Sequence, residues 1–189
     1  TAGGQTLAIG TAALMELFPD HDFCKDDFVN FFGIGRRATG VMNILNDPGL
    51  APFHRIVNAE LFPESIIYYK DKKGRMTKAN HVCSEGGQQK ATSFLLMSCA
   101  AIQPFLDKLD RALQPYNGSA RKGIDDGVTH ALPQILWPLI AEYHRELEEL
   151  CGLKVNRASS MVYCPNGDYS AMPPGFTKGT VTLTTGPPE

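Results

Sequence analysis

Apolar residues recur along this chain with two different periods, and the places where one gives way to the other outline its architecture. Through "TLAIGTAALMELF", residues 6–18, the spacing predicts a first helix that stops at Pro19. The stretch "DDFVNFFGIGRRATGVMNILN", residues 26–46, opens with two acids suited to a helix N-terminus, is interrupted by Gly33 and Gly35, and closes in the turn sequence "NDPG". In 87–114 the side chains of Leu95, Ile102, Leu106, Leu109 and Leu113 share a helical face, with Pro104 predicting a kink. The clearest stripe lies in 127–151: Leu132, Ile135, Leu136, Leu139, Ile140, Tyr143, Leu147 and Leu150. Glu142, Arg145, Glu146 and Glu149 occupy its opposite, solvated face. Gly152 stands where a C′ glycine belongs, and Pro133 or Pro138 marks where the regular helix begins.

Elsewhere the period shortens to two. "SIIYYK", residues 65–70, is β-branched and aromatic; "DKKG" turns the chain and "RMTKANHV" returns, predicting a hairpin over 65–82. Near the end, "SSMVYCPNGDYSAM" reads as strand, tight turn and strand, and "GTVTLTT" alternates as a half-buried strand. The expected fold class is α+β: a helix-rich single domain, residues 1–189, with a small antiparallel β-sheet made of the hairpin 65–82 plus C-terminal strands at 160–185. A frayed tail is expected at 186–189.

Composition changes this picture little. Of 189 residues 43% are hydrophobic and 20% charged, which fits a folded globular chain and not a disordered or fibrous one. The net charge of −2 gives no overall reason to expect a nucleic acid or an anionic membrane as partner, although a local basic patch is compatible with that balance. No apolar run reaches the ~18–20 residues needed to cross a bilayer. The opening residues lack the pattern of a secretory signal. Thr1 in place of Met is what a processed or partial chain would show; a terminal Thr is the nucleophile of self-processed hydrolases, but nothing else here specifies one. Cys24, Cys83, Cys99, Cys151 and Cys164 are widely spaced and form no CxxC pair, so zinc-ribbon and thioredoxin-type sites are excluded and reduced thiols in a cytoplasmic protein are expected. The sequon at Asn117–Ser119 points the other way with little weight.

Four stretches carry candidate chemistry. In "NHVCSEGGQQ", residues 80–89, the chain leaves the hairpin and is expected to enter a helix capped by Ser84. His81, Cys83 and Glu85 are the catalytic candidates there. A thiol beside the positive end of a helix and a histidine has a lowered pKa, and amides near Gly86 and Gly87 could hold an oxyanion. The plainer reading is a packed Cys83 at a strand end. In "GIGRRATG", residues 33–40, Gly33, Gly35, Arg36 and Arg37 suit an anion, though a Gly-x-Gly without a preceding strand is a weak signal. Asp126 and His130 would share a helical face, as would His144 and Glu148; surface ion pairing explains both equally simply. His54 sits between apolar residues as a partly buried side chain. "PDHDFCKDD", residues 19–27, lacks the glycine and closing glutamate of a calcium loop and reads as a solvated turn before an acidic helix start; no metal site is expected.

Two function classes follow. One is a small soluble enzyme or small-molecule-binding domain with a cleft, using His, Cys and carboxylate acid–base or nucleophilic chemistry on a small-molecule or anionic ligand. The other is a non-catalytic interaction or assembly protein whose apolar helix faces continue into a partner, with Phe31, Phe32 and Trp137 as contacts and a homo-oligomer as one outcome. No nucleic acid or membrane partner is expected, and the sequence names no cofactor.

Overall fold

The computed structural model describes residues 2–31, 35–61, 65–83, 92–122 and 127–180, with 2–8, 65–69, 78–83 and 92–94 given by their backbone alone. In chain order the elements are α1 (Ala2–Leu17), β1 (Asp22–Lys25), α2 (Arg37–Asn46), α3 (Ala51–Leu61), β2 (Ser65–Lys70), β3 (Met76–Cys83), α4 (Thr92–Leu113), β4 (Ser119–Lys122), β5 (Gly127–Ala131), α5 (Pro133–Cys151), β6 (Met161–Tyr163) and β7 (Thr177–Lys178). The fold is helix-rich α+β. The chain divides into two compact units: residues 1–27, 109–141 and 156–189 form the first, 28–108 and 142–155 the second.

The first unit is built on a five-stranded sheet in the order β4-β5-β1-β6-β7. β1 lies at its centre, antiparallel to β5 on one side and β6 on the other, so its amides are bonded from both edges. Phe23 faces His130 and Tyr163 across the strands; Cys24 faces Thr129 and Val162. β4 and β5 form a hairpin in register from Ser119 and His130 to Lys122 and Gly127. Gly118 lets the chain enter β4: a Cβ there would meet the His130 carbonyl oxygen at 2.6 Å and the Ala131 Cβ at 2.8 Å. β7 pairs with β6 in parallel, which makes the sheet mixed. Leu132 starts α5, its carbonyl accepting from the amides of Ile135 and Leu136, and Pro133 takes the first helical position, where no amide is needed. Leu136, Trp137 and Ile140 are buried beyond it.

The second unit packs α2 against α3 through Val41, Ile44, Val57 and Leu61, with Met97 of α4 completing the cluster. α5 ends here in an αL cap: Gly152, at φ 69°, bonds the Glu148 carbonyl through its N–H, and Leu153 N–H bonds that of Leu147. The free carbonyls of Glu149 and Leu150 accept from Arg36 Nη1 and Thr39 Oγ1, each at 2.8 Å. β2 and β3 pair as the expected hairpin, with a register shift between Ile66 and Tyr68.

Several expectations are corrected. Residues 22–25 are a buried central strand, not part of a solvated turn before a helix. Residues 127–131 are a strand, so the helical pairing of Asp126 with His130 does not arise; the helix waits for Pro133, the first residue after Leu132 that needs no amide donor. The hairpin 65–82 forms a two-stranded sheet of its own, separate from the C-terminal strands. After β6 the turn at Cys164–Gly167 forms, with Gly167 at φ 78°. No return strand follows it, because Asn166 and Asp168 side chains accept the amides of Asp168 and Ser170 in successive local turns that compete with a ladder. The "VTLTT" part of the last expected strand and the tail 186–189 lie outside the described residues.

Candidate functional site

The polar side chains of the first unit gather on β1 and its neighbours. On one side His21 and His130 meet Nδ1 to Nδ1 at 3.0 Å, and the Nε2 of His130 lies 2.9 Å from Ser119 Oγ. The His130 ring stacks on Phe23 at 4.9 Å, and that of His21 on Phe18 at 4.8 Å. Burial lowers the pKa of both; for His130 it falls to about 4, helped by His21 and Arg121 and opposed by Asp110, while Asp20 and Asp22 oppose the fall at His21. Both rings are therefore neutral near pH 7. A single Nδ1 proton joins them. If His130 carries it, its Nε2 accepts from the Ser119 hydroxyl; if His21 carries it, His130 Nε2–H donates to Ser119.

The other face holds the acids. Asp22 is buried, and its carboxylate accepts from Trp137 Nε1 at 2.8 Å and from the Cys164 thiol at 2.9 Å. Cys24 donates to Asp26 Oδ1 at 3.3 Å. Burial first, then the neighbouring carboxylate, raises the pKa of both thiols, so neither is a thiolate nucleophile. Past β1 the backbone of Asp27 is clamped: its N–H donates to Ser160 Oγ at 2.9 Å and its carbonyl accepts from the Asn156 amide at 2.8 Å. The Asp27 side chain is exposed and, among the described residues, contacts Asn156 Nδ2 at 3.4 Å.

Register places these acids. The β1–β5 ladder ends with Cys24 opposite Thr129; continued for two residues, it would set Asp26 against Gly127, the first residue of β5. The preceding residues are Asp125 and Asp126, in the four-residue link 123–126, which lies outside the described residues. Asp26-Asp27 follow β1, and Asp125-Asp126 immediately precede β5 in the sequence. Among the described residues, no group of three His, Cys, Asp or Glu side chains could hold a metal.

The other candidates are dispersed. His81 and Cys83 lie on β3, described by backbone alone, with Cys83 opposite Ser65. Ser84, Glu85, Gly86, Gly87, Gly33 and Asp126 lie outside the described residues, and α4 begins at Thr92. Gly35 packs on Leu153, Arg36 caps α5, and Arg37 is buried at the start of α2. His54 Nε2 sits 3.3 Å from the Asp47 carbonyl oxygen on α3. Phe31 and Trp137 are core residues, and Phe32 lies outside the described residues. His21, Asp22, Asp26 and Asp27 lay in the candidate stretch 19–27 but were read there as a solvated turn, whereas Ser119 and Cys164 had no local signal.

No protein-family model matches the chain, and no curated protein does. Among solved structures it is similar to apo telomerase from Candida tropicalis, truncated from its C-terminal domain, with a TM-score of 0.59 and 11% identity. The match covers 84% of this chain and 34% of that one, so the chain spans about a third of the telomerase chain. The likeness is one of fold. No described helix is long and apolar enough to cross a membrane.

Proposed function

We propose that this chain carries a carboxylate centre for divalent-metal-assisted nucleotidyl transfer on a nucleic acid, the class of reaction to which a telomerase belongs. The observation that carries this reading is the antiparallel β1–β5 register, Cys24 opposite Thr129, which runs Asp26-Asp27 toward Gly127, the residue that Asp125-Asp126 precede in sequence. The fold likeness agrees with it. The donor set fits Mg²⁺ or Mn²⁺, which take hard oxygen ligands from one or two carboxylates and complete their shells with water and phosphate oxygens. Among the described residues the exposed Asp27 carboxylate has only a long amide contact to give up. Such a metal, when bound, stabilises charge on phosphoryl oxygens and activates an attacking oxygen. The protein's part is positioning: β1 is held from both edges, and the clamp from Asn156 and Ser160 fixes the backbone that presents Asp27. This reading keeps an enzyme, moves its chemistry from His81, Cys83 and Glu85 to carboxylates, and brings in a nucleic acid that the net charge gave no reason to expect.

The test is Mn²⁺ binding by electron paramagnetic resonance, with primer extension on a template–primer as the activity readout. Asp27→Asn and Asp125→Asn should weaken Mn²⁺ binding at least tenfold while circular dichroism stays unchanged. Mn²⁺ binding equal in the wild type and both variants would overturn the proposal.

A further inference from the structure

The tip of the β2–β3 hairpin gathers cations on exposed positions. Lys70, Lys72, Lys73 and Arg75 lie within six residues and are all exposed, in a chain whose net charge is −2. One acid, Asp71, stands among them, and it is used internally. Its carboxylate accepts from the Lys73 amide at 2.8 Å, the Arg75 amide at 2.9 Å and Arg75 Nε at 2.9 Å. Those bonds hold its pKa below the usual carboxylate range. The Asp71 amide bonds the Arg75 carbonyl, the Gly74 amide bonds the Asp71 carbonyl, and Gly74 turns the chain at φ 77°. The acid therefore fixes the turn, and Lys72 and Lys73 are carried on ordered backbone at its apex.

We infer that this tip is a contact for the phosphate backbone of a nucleic acid, made chiefly by Lys72 and Lys73. The inference rests on the nucleotidyl-transfer reading for its choice of polyanion. Point charges on flexible stems attract successive phosphates without reading sequence, and backbone already ordered by Asp71 loses little further entropy on binding. Phosphate contact releases condensed counterions, so each cation that takes part adds about 0.7 to the slope of log affinity against log salt for a single strand.

The experiment measures fluorescence anisotropy of a fluorescein-labelled single-stranded oligonucleotide over a salt series, with metal chelated. Lys72→Gln/Lys73→Gln should lower the slope by about 1.4, equally for unrelated sequences, and leave the denaturation midpoint unchanged. Arg111→Gln/Lys154→Gln, which removes the same charge from exposed positions elsewhere, should change the slope by less than half as much. Four results overturn the inference: no binding by the wild type, an unchanged slope in the hairpin variant, an equal fall in the control, or binding of anionic phospholipid vesicles in place of the oligonucleotide. Because the metal is chelated, failure here is distinct from failure of the carboxylate centre, which Mn²⁺ binding tests alone.

Discussion

His21 and His130, 109 residues apart in sequence, share one proton across 3.0 Å between their Nδ1 atoms. Each ring is also stacked on a phenylalanine, so the contact joins the loop before β1 to β5 through a layer of four aromatic rings. Neutral rings suit the geometry because a bare nitrogen must face a protonated one. Two protonated Nδ1 atoms would face each other with no acceptor.

That arrangement makes stability depend on pH. His130 has its folded pKa lowered to about 4, against 6.5 when unfolded. Between those values the unfolded chain binds more protons, so stability is full above pH 6.5 and is lost as pH falls towards 4. The loss from this residue is on the order of 3 kcal/mol. Urea denaturation from pH 7 to 4 should show it, and His130→Gln, which does not titrate, should flatten the part of the curve above the carboxylate range. A curve of the same shape in the variant would place the proton uptake elsewhere.

Asp22 accepts from two buried donors at once, Trp137 Nε1 and the Cys164 thiol. Asp22→Ala would strand both in a dry interior, for which a loss of about 3 kcal/mol is expected. Trp137 is the only tryptophan, so its emission reports the same change. Asp22→Asn keeps one carbonyl oxygen and should lose less. Equal midpoints for wild type and Asp22→Ala would mean that the pair contributes nothing.

How legible these features were depended on the distance over which each is specified. The helices could be read because their signals are local: the stripe of α5 is borne out at Leu136, Ile140, Tyr143 and Leu147, with Leu139 half-buried, and Gly152 ends it as expected. The β2–β3 hairpin was equally local, with its turn residues between two β-rich runs. β1 was not. Its four residues, Asp-Phe-Cys-Lys, are too few to display a period, and their polarity suggested water. Asp22 and His21 are buried because of Trp137, Cys164 and His130, partners more than a hundred residues away that no window contains. The acid pairs failed to register as a site for the same reason, since only the β1–β5 register, continued past Cys24, relates position 26 to position 127.

Cysteine reactivity should follow burial. Cys99 was expected on a buried helix face; it is instead exposed on α4, whose apolar stripe passes beside it at Met97, Ala101 and Ile102. Cys24, Cys151 and Cys164 are buried, and burial raises all three, Cys151 to about 11. In native protein, iodoacetamide should therefore label Cys99 first among these four, even though partial burial raises its pKa as well. Mass-spectrometric mapping gives the order. Labelling of Cys24 or Cys164 ahead of Cys99 would contradict the buried sheet.

Two glycines should respond to alanine in opposite directions. Gly10 lies within α1, and a Cβ built there meets nothing within 4 Å. Gly10→Ala removes backbone freedom from the unfolded chain without a clash, so it should stabilise by roughly 0.5–1 kcal/mol. Gly40 lies within α2, where a Cβ would run into the Met97 carbonyl oxygen and also lie 2.7 Å from Met97 Cγ and Sδ. The methionine side chain can swing aside, but the carbonyl belongs to the α4 backbone and cannot move without shifting the helix. The packing of Val41 and Ile44 beside it would open as well. Gly40→Ala should thus cost about 1–3 kcal/mol despite the gain in helix propensity. Thermal melts of the two variants side by side settle the matter: a Gly40→Ala protein as stable as the wild type would show that α2 and α4 do not approach this closely.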